Sequence, residues 1–224
     1  MSITPMHRTL FIGDVHGCAL ELEDLLVRAR PTRVFLTGDM FTKGPDALAC
    51  WRLIESWNAH SVLGNHDARM LEIQRRAAGG RGKGHAHRAL RALTAEPAAL
   101  RWLSGLPTAL QGEGWLLVHA GVHPLLGLAE TTQQQRLNLR RWPDDTDPGH
   151  PHWWSLYADH HSPDAQPIVI HGHDAVQGFR DQRPLTLGLD GGCVYGGALW
   201  GYLLEEDRLL RVPARQVWLQ PDHR

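Results

Sequence analysis

Apolar runs in this chain repeatedly end in side chains that bind metals. Residues 9–13 (TLFIG) lead to Asp14 and His16, residues 33–38 (RVFLTG) to Asp39, and residues 61–64 (SVLG) to Asn65 and His66; residues 115–118 (WLLV) lead to His119 and residues 168–170 (IVI) to His171 and His173. Residues i and i+2 of an extended segment project to the same side, so Asp14 and His16 read either as a ligand pair or as a coincidence of turn residues. The recurrence decides for the pair, because no apolar core requires polar groups at one strand end after another. An all-oxygen set would suit magnesium or calcium and a thiolate set structural zinc, whereas a mixed His/Asp/Asn set suits manganese, iron, zinc or cobalt with open positions. Asp39 could bridge two such ions about 3.5–4 Å apart, and a hydroxide shared by both would exist near neutral pH because each cation acidifies bound water. That chemistry serves in-line attack on phosphorus.

The elements that must position these groups follow from periodicity. Thr9–Gly13, Arg33–Thr37 and Ser61–Leu63 read as buried strands, alternating with helices over Leu20–Ala29, Ala47–Trp57 (with Pro45 near its start) and Ala68 to about Ala78. This alternation predicts a parallel sheet with helices on both faces, and in such sheets ligands bind beyond the carboxyl ends of the strands. Helices are expected over Ala86–Thr94, Pro97–Leu103 and Glu130–Arg141, a strand over Trp115–His119, and loop over Pro143–Pro151. The last third reads as strands at Ile168–Ile170, Leu185–Leu189, Leu199–Leu204 and Arg208–Val212, the final two joined by a turn at Glu206-Asp207. No composition break marks a boundary, so residues 1–224 are read as one domain.

Composition excludes several classes. A formal net charge of −1 gives no global attraction to nucleic acid or anionic membrane, so an anionic substrate must be held locally. Cys18, Cys50 and Cys193 are too few and too scattered for a disulfide framework, and the N-terminal residues carry no long apolar stretch; a cytoplasmic protein without a membrane span is expected. The glycine-rich stretch Gly79–His85 is not a phosphate-binding P-loop, since Gly84 stands where Ser or Thr is required after Lys83. It reads as a solvated loop. Trp142, Trp153 and Trp154 read as packing under a loop rather than as base-stacking platforms, His171 as a satisfied strand-end histidine, and Cys193 as a packed thiol.

The motifs Gly13-Asp14-Val15-His16-Gly17, Gly38-Asp39-Met40-Phe41-Thr42-Lys43-Gly44-Pro45, Gly64-Asn65-His66-Asp67, Val118-His119-Ala120-Gly121 and Gly172-His173 resemble, in order, those of the calcineurin-like metallophosphoesterases. Within these, the chain is similar to the phosphoprotein-phosphatase branch, which includes symmetrical diadenosine tetraphosphate hydrolases and ApaH-like phosphatases; residues 189–197 (LDGGCVYGG) resemble a C-terminal signature of bacterial members. The resemblance implies an α/β sandwich of two mixed β-sheets flanked by helices. It implies two divalent ions, manganese first, with iron, zinc, cobalt or magnesium as alternatives. Asp14 and His16 would hold one ion, Asp39 would bridge, and Asn65, His119 and His173 would complete the other. His66 would be the general acid, Asp67 its orienting neighbour, and Lys43 and Arg140 phosphate-binding cations, with Arg69 a weaker match.

The sequence departs from the protein phosphatases of that family at Thr42-Lys43-Gly44, where they carry Asp-Arg-Gly and the Asp pairs with the catalytic histidine. Losing that carboxylate lowers the imidazole's affinity for a proton, and lysine replaces a planar fork by a point charge. Nucleotide-hydrolysing members share the departure, which favours a dinucleoside polyphosphate as substrate over a phosphoprotein. A phosphoserine, phosphothreonine or phosphotyrosine phosphatase and a non-catalytic metal-binding module are the alternatives. No stable nucleic-acid partner is expected.

Overall fold

The computed structural model describes residues 7–76, 82–162, 164 and 166–220. Two five-stranded sheets face each other. The first contains β1 (Thr9–Ile12), β2 (Arg33–Leu36), β3 (His60–Ser61), β9 (Ala198–Leu203) and β10 (Arg208–Pro213) in the order β10-β9-β1-β2-β3. The second contains β4 (Ala109–Gly112), β5 (Trp115–Val118), β6 (Ile168–His171), β7 (Arg180–Gln182) and β8 (Thr186–Gly188) in the order β4-β5-β6-β8-β7. Both are mixed. The parallel β1-β2-β3 unit expected from sequence is present, but β9 adds antiparallel to β1, so the wholly parallel sheet is corrected. In the second sheet β5, β6 and β8 run parallel while β4 and β7 add antiparallel at the edges.

Alternation along β1 explains why the sheets stack. Phe11 points toward the second sheet, joining Trp115, Leu117, Ile170, Leu187 and Leu189 in the layer between them. Leu10 and Ile12 point the other way, into a core with α1 (Ala19–Ala29) and α2 (Ala47–Ser56). A strand covered on both faces reads as a continuous apolar run, as TLFI does. The outer face of the second sheet packs on α7 (Trp153–His160), through Trp153 and Tyr157.

Three further helices, α3 (Asn65–Arg76), α4 (His85–Leu93) and α5 (Pro97–Ser104), lie near their expected positions; α3 starts at Asn65 rather than Ala68, and its expected end near Ala78 falls outside the described residues. Residues 79–81 of the glycine-rich stretch also fall outside, and Gly84 is the N-cap of α4. The helix expected over Glu130–Arg141 is corrected to the shorter α6 (Gln133–Asn138), because the Thr132 hydroxyl and the Gln135 side chain form a reciprocal capping box and Leu139 is extended. Trp153 and Trp154 pack, but on the helix α7 rather than under a loop, Trp153 edge-on to His171 at 5.1 Å and Trp154 under the Arg180 guanidinium at 4.0 Å. Cys18, Cys50 and Cys193 are free and buried. Among the described residues no helix is long and apolar enough to cross a membrane.

Candidate metal centre

The parallel strands of both sheets end at one place. Hydrogen bonds within and between the sheets hold it together: His119, just after β5, bonds across to the Thr37 carbonyl after β2 through Nδ1 at 2.8 Å, and within the second sheet the Gly172 amide after β6 donates to the His119 carbonyl at 2.8 Å. The Thr37 hydroxyl donates to Asp14 Oδ1 at 2.9 Å, and the His173 amide donates to Asp14 Oδ2 at 3.2 Å. Two glycines are obligatory for this closeness. A Cβ on Gly172 would lie 1.9 Å from Asp14 Oδ1, and one on Gly64 would lie 2.1 Å from Asp39 Oδ1. The backbone is also unusual, since His16, Asp39, Lys43 and His173 all take left-handed φ angles of 48°, 54°, 70° and 73°. Such conformations cost free energy in non-glycine residues and persist where the surroundings over-determine them.

The donor atoms form a pattern that a cation would satisfy. His119 Nδ1 donates to Thr37, which assigns its tautomer and leaves Nε2 as a lone pair. That lone pair faces Asn65 Oδ1 at 3.0 Å and Asp39 Oδ2 at 3.7 Å. Three acceptors facing one another repel unless a positive charge lies among them. His173 is arranged in the same way, Nε2 donating to the Asn138 carbonyl at 3.1 Å and Nδ1 left free; a ring fixed through its second nitrogen is how ligating histidines are oriented. On the other side, His16 Nε2 also lies 3.7 Å from Asp39 Oδ2. Ligand atoms of Asp14, Asp39 and His119 fall within 4.8 Å of one another, as do those of His16, Asp39 and His66. Asp39 belongs to both groups. One carboxylate oxygen is therefore equidistant from two histidine nitrogens, the placement a bridging ligand needs.

Electrostatics agree with the geometry. Burial holds His16 and His173 well below the usual histidine range and lowers His119 as well, so all three are neutral and offer lone pairs near pH 7. Burial and the neighbouring Asp190 and Asp39 charges push Asp14 well above the usual carboxylate range. Burial acts to raise Asp39 too, but His119, His16, His66 and Lys43 together hold it below that range.

The comparisons with known proteins can now be set beside this site. The calcineurin-like phosphoesterase family model matches residues 7–197. The chain belongs to that family. This phosphoesterase is 26% identical, over 91% of its length and 96% of the relative's, to a symmetrical bis(5'-nucleosyl)-tetraphosphatase of Aromatoleum aromaticum. It is 28% identical, over 91% and 95%, to the protein of the same description from Dechloromonas aromatica. A solved structure provisionally assigned as a diadenosine tetraphosphatase superposes with a TM-score of 0.76 at 29% identity, covering 94% of this chain and 95% of the other.

Within this phosphoesterase, His16, Asp39, Lys43, Asn65, His66, Arg140 and His173 line one cleft of about 740 Å³, and buried Asp14 and His119 lie behind it. Lys43 Nζ donates to His16 Nε2 at 3.0 Å and lies 5.4 Å from the Tyr195 ring centre. Arg140 reaches the cleft from a half-exposed position, 3.7 Å from Asp174 and 3.9 Å from Asp145. The Thr42 hydroxyl lies 3.3 Å from His16 Nδ1, so this residue touches His16 and supplies no charge to His66. His171 packs away from the cluster against Trp153, burial holding it at about 4.

The expectation for Asp67 is corrected. Its buried carboxylate is not turned to the His66 ring; Oδ2 accepts the backbone N–H of Asp39 at 2.7 Å and of Gly64 at 3.2 Å. Asp67 thus fixes the loop that presents Asp39. Burial, then the Asp39 charge, push it up to about 8. A folded carboxyl that holds its proton this tightly contributes stability below the unfolded value near 4, and that contribution is lost as pH rises to about 8. Asp67→Asn keeps an acceptor and cannot ionise, so urea unfolding of metal-free protein at about pH 5 and pH 8 should show a larger loss in wild type than in the variant, which keeps the other buried titrating groups of the site.

Sequence reasoning missed three residues here. Asp190 lies in the cleft wall after β8, its Oδ1 accepting the Gly192 amide at 3.0 Å, with burial pushing it to about 6. The same strand-end pattern that marked Asp14 and Asp39 would have found it. Tyr195 lines this cleft, and Trp142, Trp153 and Trp154 do not. Arg88 donates to the Lys43 and Gly44 carbonyls at 2.8 and 3.0 Å, holding the Lys43 turn from α4, and no local pattern announces it.

Proposed function

We propose that this chain is a dinuclear-metal phosphohydrolase that cleaves diadenosine tetraphosphate symmetrically to two ADP. The observation that carries the reading is Asp39 Oδ2, 3.7 Å from both His16 Nε2 and His119 Nε2. Asp14 and His16 would hold one ion, Asp39 both, and Asn65, His119 and His173 the second; His66 is close enough to His16, with ring centres 5.2 Å apart, to border the first. When bound, two divalent ions, manganese in the first instance, supply a hydroxide nucleophile at neutral pH and offset charge on the phosphate.

The remaining work falls to side chains. Lys43 and Arg140 both line the cleft, and with metal on His16 the Lys43 ammonium would be released, so the two would grip non-bridging phosphate oxygens. His66 stands partly exposed at the start of α3, its backbone N–H donating to Asp39 Oδ1 at 2.9 Å, and gives a ring proton to the departing oxygen. Burial lowers its proton affinity, with Asp39 opposing; the negative charge of a bound polyphosphate raises it again. The symmetrical substrate is supported by the relatives' descriptions and by Thr42, which gives His66 no carboxylate partner. Both sheets contribute to the one centre, which supports a single domain, and three free thiols support a reducing, cytoplasmic location.

Incubating the Mn²⁺-loaded protein with diadenosine tetraphosphate and, separately, with a phosphopeptide tests the reading. ADP as sole nucleotide product is expected. Release of ATP and AMP would overturn the symmetrical register, phosphate from the peptide alone would make it a protein phosphatase, and no turnover with metal bound would make it a binding module. Asn65→Ala removes one oxygen ligand and should leave one of the two ions under-occupied by elemental analysis; full loading would count against that assignment.

A further inference from the structure

A second cleft opens on the far side of His66. It runs along α3 toward α6, encloses about 690 Å³ and is walled by Arg69, Arg75 and Arg76 with Ala68 and Leu137. The metal-facing cleft encloses about 740 Å³, and the two share only Asn65 and His66. Two spaces of nearly equal size therefore meet at the ring that serves the leaving oxygen. Arg69 and Arg76 share a single carboxylate, Glu72, so three guanidinium groups face one negative charge. Arg75 makes its one bond among the described residues to the Leu71 carbonyl, at 3.4 Å, and keeps its charge uncompensated.

We infer that the α3 cleft is the seat of the departing nucleoside diphosphate, with its arginines on the phosphates and the Ala68–Leu137 wall beside the base. This rests on the reading above that the site hydrolyses a dinucleoside polyphosphate. It adds what that reading lacks, a reason for the register of cleavage. A leaving group must lie on the side of the acid that protonates it, and beyond the metal-facing cleft His66 also lines the α3 cleft. With one diphosphate arm seated in each of two equal clefts, the phosphorus presented between them is the middle of a tetraphosphate. A phosphoester with a small leaving group reaches the metals without entering the second cleft.

The test combines an Arg69→Ala/Arg75→Ala double variant with a charge reversal, Arg75→Glu. Both positions are exposed on a helix, where alanine and glutamate are good helix formers, so the fold is retained. ADP binding to the Mn²⁺-loaded protein is measured by calorimetry. Wild type should take up two ADP per chain and the double variant one. KM for diadenosine tetraphosphate should rise roughly 5–30-fold, from two charge-assisted contacts, while KM for p-nitrophenyl phosphate shifts several-fold less. Unchanged ADP stoichiometry, or equal shifts for both substrates, overturns the inference. Failure of wild type to hydrolyse diadenosine tetraphosphate overturns the functional reading instead; loss of one ADP site in the variant would still uphold the cleft as a nucleoside-diphosphate site.

Discussion

Replacing His66 by alanine lowers turnover of diadenosine tetraphosphate by about 10²–10⁴-fold while the chain keeps its metal. The expectation follows from where the ring stands. His66 lies at the mouth shared by the two clefts, and its backbone, not its ring, makes the bond to Asp39. Truncating the ring leaves that bond and α3 in place. What disappears is the proton for the leaving oxygen. The loss should shrink for a substrate with a good leaving group, such as p-nitrophenyl phosphate, which departs without help; an equal loss on both substrates, or reduced metal content, would place His66 among the ligands.

Asp39→Asn has the second large effect, and it differs in kind. Asn keeps an oxygen for the His66 amide and tolerates the left-handed backbone at φ 54°, so the loop stays folded. The negative charge between the two histidine nitrogens is gone. Elemental analysis should find about one manganese per chain or none, and turnover should fall by roughly 10²–10³-fold or more, as when a preorganised electrostatic group is removed. Manganese should raise the wild-type melting temperature because ligands stabilise the state that binds them, and should raise that of the variant much less. A variant that binds two ions normally would remove Asp39 from the bridge.

Much of this was legible in the sequence because strands covered on both faces are written as uninterrupted apolar runs. TLFI, WLLV and the IVI of β6 stand out for that reason, and β2 carries a shorter run, VFL, behind an exposed Arg33; the polar residue after each run is placed by the strand itself. The edges were not legible in this way. β7 is Arg-Asp-Gln and β4 is a partly exposed Ala-Leu-Gln-Gly whose two apolar residues are too few to show a period. The antiparallel addition of β9 to β1 joins residues nearly the length of the chain apart, which no local pattern encodes, and it was the family resemblance that anticipated two mixed sheets. The short α6 was readable after all, from the Thr132–Gln135 capping box.

At the site, residue types were visible and their orientation was not. Asp67 follows His66 in sequence, yet its carboxylate turns back to the Asp39 and Gly64 amides. A helix start sends neighbouring side chains in different directions, so adjacency said little about contact. The left-handed conformations of His16, Asp39, Lys43 and His173 have no strong signature in residue type, since none is Gly or Asn. Lys43 and Arg140 both line the cleft, and Arg88, which holds the Lys43 turn, can be found only in three dimensions.

The central claim is that Asp39 stands between two ions. Anomalous diffraction from crystals grown with manganese tests it directly. Two peaks about 3.5–4 Å apart, with the Asp39 carboxylate between them, His16 on one side and His119 on the other, are expected. A single peak, or two that do not share Asp39, would contradict the account.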